Sequence, residues 1–115
     1  MKMYVTLTAL IMTALVFSYC SGSKKAMAKA PKLTYESNIQ TVIVANCSPC
    51  HIPSKGGNKK PLDTYVAAQA NIDDMLRRIQ LNPTDKGFMP FKHDKLSDST
   101  IAIFTKWKAD GLLEK

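Results

Sequence analysis

A chain of 115 residues leaves room for one small domain, and its net charge of +7 would suggest a nucleic-acid or membrane surface if it were spread evenly. It is not: five of the 16 basic residues (Lys2, Lys24, Lys25, Lys29, Lys32) precede residue 33 and all 9 acids follow it, so the remainder carries 11 basic against 9 acidic groups. That near balance gives no basis for nucleic-acid binding. Clusters such as Lys59-Lys60 and Lys92/Lys95 read as solvated surface.

Residues 1–20 begin with Lys2 and continue as an apolar run from Met3 to Tyr19, the pattern of an export signal. The run is marginal for spanning a bilayer. Two processing sites compete. Ala26-Met27-Ala28 is a small-residue secretory site, whereas Cys20, followed by Ser21-Gly22-Ser23, resembles a lipoprotein site whose cysteine is lipidated. The apolar run stops at Cys20, and the cysteine is otherwise unpaired, so the lipid-anchored reading is expected. Residues 21–32 are small and basic, close with Pro31-Lys32, and read as a flexible tether. The domain is then 33–115, about 83 residues, short for a self-sufficient apolar core.

Thr34 can cap a first helix over residues 35–46, with Tyr35, Ile39, Val42, Ile43 and Asn46 on one face. The β-branched run Thr41-Val42-Ile43-Val44 weakens helix propensity. Helix is still expected, because no hairpin partner follows. The helix leads into Cys47-Ser48-Pro49-Cys50-His51, the Cys-x-x-Cys-His form of a covalent haem attachment site. Two thiols three positions apart can each reach one vinyl group on the same porphyrin edge. The adjacent His51 can then ligate the iron. A zinc site would need four ligands, and the rest of the chain supplies only His93 and the leader's Cys20. A thioredoxin-like pair would need a βαβ setting that does not flank these cysteines.

Ile52 to Pro61 reads as loop, with Pro53, Gly56-Gly57 and Asn58. A ligating histidine usually donates its second ring nitrogen to a carbonyl, and one near Pro61 is the expected acceptor. Asp63-Thr64 opens a second helical stretch, Tyr65 to Ala70. Asn71 is expected to cap a third, Ile72 to Gln80, with an apolar stripe of Ile72, Met75, Leu76 and Ile79. Arg77 or Arg78 could pair with a haem propionate. Leu81 to Phe91 is a loop ending in Phe88-Met89-Pro90-Phe91. Met89 is the expected sixth iron ligand, with Phe88 and Phe91 excluding water; His93 is the rival in a bis-histidine site. Ser97 caps a last helix carrying Ile101, Ile103, Phe104, Trp107 and Lys108; Gly111 ends it and Leu112 packs back.

These features together resemble the small class I monohaem c-type cytochromes, of the exported or lipid-anchored bacterial type. The resemblance covers residues 34–112 and rests on Cys47-x-x-Cys50-His51 near the end of a first helix, Met89-Pro90 in a distal loop, and Leu96-Ser97-Asp98 with Ile101, Trp107 and Gly111 in a closing helix. It implies an all-α fold of about four helices around one covalent haem c, with the terminal helices crossing. It also implies Cys47 and Cys50 as covalent ligands and His51 and Met89 as axial ones. The function implied is single-electron transfer by a monomer, without catalysis, between transient redox protein partners on the periplasmic side of a membrane. Alternatives are a haem subunit of a larger oxidoreductase complex, or a gas-binding or peroxidase-like protein in which Met89 is displaced.

Overall fold

A computed structural model describes residues 29–115, so the expected signal segment and Cys20 lie outside the described residues. Pro31–Lys115 form one compact unit. It is helical, with three helices and no strand among the described residues. No described helix is long and apolar enough to cross a membrane.

The first helix opens where expected. Thr34 is extended, its hydroxyl accepts from Ser37 N–H at 3.3 Å, and its own N–H donates to Asn38 Oδ1 at 3.0 Å. This reciprocal cap satisfies two groups that a helix start would otherwise leave open. The opening differs from a regular helix in one respect: Tyr35–Ile39 form a wide π turn before α1 (Gln40–Cys47). The buried residues explain the widening. Tyr35, Ile39 and Ile43 lie four apart and are almost wholly covered. In a regular α-helix each step of four overshoots a full turn by about 40°, and a wide turn takes up part of that drift.

Asn71 departs most from the helix pattern expected of the sequence. It does not separate two helices, because α2 runs unbroken from Tyr65 to Gln80, capped by the Thr64 hydroxyl on Ala67 N–H at 3.2 Å. Asn71 sits in the helix interior with its Nδ2 bonded to the Ala67 carbonyl at 2.8 Å. That local bond, four residues back, lets asparagine continue the helix instead of starting one. The count is therefore three helices, not four. Ile72, Met75 and Ile79 are buried as the stripe predicts, joined by Ala68, with Leu76 half-buried at its margin.

Ser97 caps α3 (Asp98–Ala109), accepting from Thr100 N–H at 3.2 Å. Ile101, Phe104 and Trp107 face the core, and Lys108 leaves it to pair with Asp73 on α2 at 2.6 Å. Gly111, at φ +101°, ends α3. Its N–H bonds the Lys108 carbonyl at 3.2 Å, and Leu112 N–H bonds that of Trp107 at 3.0 Å. This is a Schellman closure, whose left-handed residue is inexpensive only for glycine.

The closure turns the C-terminal segment back over the start of the first helix. Leu113 O accepts both Tyr35 N–H at 2.8 Å and the Trp107 indole N–H at 2.9 Å. Tyr65 donates its hydroxyl to Leu112 O at 3.0 Å. Tyr35, Tyr65 and Trp107 meet at ring separations of 5.9–6.5 Å, two of the three contacts edge-on, an arrangement that adds to simple area burial. The two ends of the domain are thus locked by one aromatic cluster.

Asp110 fastens the same junction from outside, accepting from Leu33 N–H at 2.7 Å and Lys106 Nζ at 2.6 Å. The Lys106 bond first, and then the Leu33 amide, hold its carboxyl below the usual range. A depressed folded pKa stabilises above the unfolded value of about 3.9 and is lost as pH falls through the folded value. Thermal unfolding of wild type should therefore worsen on acidification below that range more steeply than that of Asp110→Asn. Parallel acid limbs would show that the contact carries no linkage.

Candidate functional site

The Cys-x-x-Cys-His motif begins at the last residue of α1. Cys47 ends the helix, Ser48 is extended, and the chain folds back so that His51 N–H donates to Cys47 O at 3.0 Å and Ile52 N–H to Pro49 O at 3.0 Å. The two thiols consequently differ. Cys47 packs against the apolar core while Cys50 is exposed. Burial pushes the Cys47 thiol up to about 11, so it is a neutral thiol at neutral pH.

The following loop wraps back onto the motif rather than leaving it. Pro53–Lys55 make a single 3₁₀ turn, and Gly56 reverses the chain at φ +83°. Lys59 N–H then bonds Cys50 O at 3.0 Å and Leu62 N–H bonds His51 O at 3.0 Å. Gly57 comes just before these contacts, pressed so closely that a Cβ there would fall 2.2 Å from Pro49 O and 2.6 Å from Cys50 O. Its being glycine is therefore a matter of space, not of backbone angle.

The wrap delivers an acceptor to His51. The imidazole Nδ1 lies 2.7 Å from the Lys60 carbonyl, the group preceding Pro61, where the sequence reading expected one. A carbonyl only accepts, so Nδ1 carries the proton, and in the neutral imidazole Nε2 keeps its lone pair. This is the tautomer and the support that a metal-binding histidine requires. The side chain of Lys60 reaches α2, where its Nζ bonds Asn71 Oδ1 at 3.0 Å. The residue mistaken for a cap thus tethers the loop that orients His51.

Met89 follows buried Phe88, packs half-buried against the core cluster, and donates its N–H to Arg78 O at 3.3 Å. Cys47 and Met89 thus border the same apolar cluster. His93 is exposed in the next turn, its N–H bonded to Pro90 O at 3.2 Å. Of the two rival ligands, only the thioether of Met89 sits on the core.

One expectation about a neighbouring residue changes. Phe91 does not shield Met89: it is 67% exposed, with the Lys92 ammonium 5.3 Å from its ring centre. Of the two phenylalanines, only Phe88 is buried. Arg77 and Arg78 are both occupied by Asp74, and their hydrogen bonds, Arg78's first, hold that carboxyl below its usual range. Arg77, with only Nη2 engaged and its side chain more than half exposed, keeps donors for a further anion, whereas Arg78 is also turned toward the Gly87 carbonyl.

The donor set fits a covalent haem. It offers two thiols on one turn of chain, an imidazole with Nε2 free, and a thioether bordering the same core. It fits a tetrahedral ion poorly, because no three His, Cys, Asp or Glu side chains among the described residues could hold one together. Comparisons with protein-family models, with curated proteins and with solved structures return no match to this chain.

Proposed function

We propose that the chain is a cytochrome c-like single-electron carrier with one covalently attached haem c. The observation that carries the reading is His51, directly after Cys47-x-x-Cys50, with its Nδ1 proton held by the Lys60 carbonyl. Cys47 and Cys50 would hold the porphyrin edge through thioethers. His51 Nε2 and the Met89 sulfur would be the axial ligands. The group supplies reversible one-electron chemistry between ferric and ferrous iron, with little rearrangement when both axial positions are filled.

The chain's own residues do the rest. Lys60 O keeps the imidazole in one orientation and strengthens it as a donor. Phe88, buried next to Met89 in sequence, would help to exclude water there, and the Tyr35–Tyr65–Trp107 cluster holds the terminal elements together. Full axial coordination favours transfer over catalysis. Partners would be redox proteins meeting the domain through small, transient contacts. The leader and Cys20 point to export and to a lipid anchor on the periplasmic side of a membrane, with residues 21–32 as tether.

Absorption spectra of the purified ferrous protein, with and without carbon monoxide, test the reading. A six-coordinate carrier gives a spectrum that carbon monoxide leaves unchanged on mixing. Ready binding would instead favour the gas-binding or peroxidase-like alternative.

A further inference from the structure

Arg77 and Arg78 share a carboxylate but not a role. Both rest on Asp74, one turn earlier on α2. Only Arg78 also reaches beyond the helix: its Nη1 donates to the Gly87 carbonyl at 3.3 Å, while its own main-chain carbonyl accepts from Met89 N–H at 3.3 Å. One residue of α2 therefore holds the loop on both sides of Phe88, which is itself buried. Gly87 has no side chain to obstruct this contact; a Cβ there would lie 3.3 Å from Arg78 Nη1. Asp74 fixes the guanidinium from the other side through Nε at 2.8 Å.

We propose that Arg78 is a positioning residue for Met89. Braced by Asp74, it clamps the Gly87–Met89 segment to α2 and sets how readily the thioether leaves the iron. The inference rests on the proposed function, since it takes Met89 as the axial ligand. The physical basis is entropic. A ligand on a loop whose backbone is already fixed loses less freedom on binding iron than one on a loose loop. Arg77 makes the same ion pair without touching the loop, so it provides an internal control.

The test uses the full-length haem-loaded protein and two readouts, cyanide binding to the ferric form and amide hydrogen exchange along the loop. In Arg78→Ala, cyanide should bind about tenfold more tightly, as expected for losing hydrogen bonds to a charged group. The amides of Phe88 and Met89 should exchange faster while those of α3 hold. Arg77→Ala should match wild type in both. Exchange that rises equally in α3 would mean general destabilisation and overturn the clamp. So would unchanged cyanide binding in Arg78→Ala, or an equal effect in Arg77→Ala. If Met89→Ala leaves the wild-type spectrum unchanged, the proposed ligand set falls, and the positioning role with it. Unchanged cyanide binding with Met89 ligation intact removes the clamp alone.

Discussion

Met89→Ala is expected to convert the proposed six-coordinate haem centre into one with an open position. The ferrous protein should then bind carbon monoxide readily, and the reduction potential should fall. Sulfur in a thioether stabilises ferrous over ferric iron and raises the potential. Axial-ligand choice spans about 0.8 V across haem proteins, so a shift on the order of 0.1 V is the expected scale. The surroundings support Met89 rather than His93 in this role, because Met89 packs on the core beside buried Phe88 while His93 is exposed. Removing the imidazole with His93→Ala should accordingly leave both spectrum and potential as they are. A Met89→Ala protein indistinguishable from wild type, with a changed His93→Ala protein, would reverse the assignment.

The second large effect is expected at Gly57. Its absent Cβ would fall within 3 Å of three backbone atoms of Pro49 and Cys50. Backbone cannot rotate aside as a side chain does, so Gly57→Ala must push the loop off the motif. The usual cost of overpacking is about 1–3 kcal/mol, and a collision with fixed backbone belongs at or above that upper end. The displacement also reaches function, because Lys59 N–H bonds Cys50 O and the next carbonyl, that of Lys60, orients His51. Gly56 is the informative comparison. It has φ +83° and nothing within 4 Å of a Cβ, so Gly56→Ala meets only the left-handed penalty of about 1–2 kcal/mol. Thermal unfolding and haem content per chain should both fall much further for Gly57→Ala. Equal losses in the two variants would mean that the close approach to Pro49 and Cys50 is not what the site depends on.

Much of this was legible in the residues because it is local. Thr34 and Ser97 announce helix starts by offering side-chain oxygens to free N–H groups, and Gly111 announces an end by tolerating a left-handed turn. The motif itself is a local signal, and so is the expectation that a carbonyl near Pro61 would serve His51. What escaped is long-range. Asn71 resembles a cap until its side chain is seen bonded back to Ala67 and across to Lys60. Arg78 resembles a free cation until Asp74 and Gly87 are seen around it. Phe91 resembles a shield beside Met89, but it is exposed, and of the two phenylalanines only Phe88 is buried. Gly57 shows the same limit most sharply. A Gly-Gly pair signals a loop, yet only the fold shows that one glycine bends the chain and the other makes room for the carbonyls of Pro49 and Cys50.

Attachment of one haem to Cys47 and Cys50, with His51 beside them, can be read directly from mass. Protein produced in a bacterial periplasm with haem-attachment machinery should be digested with trypsin and the peptide of residues 33–55 weighed. The expected result is a single species heavier by one haem, attached at both cysteines and blocked to thiol reagents. A peptide of unmodified mass with two free thiols, or one joined only by a disulfide, would contradict it.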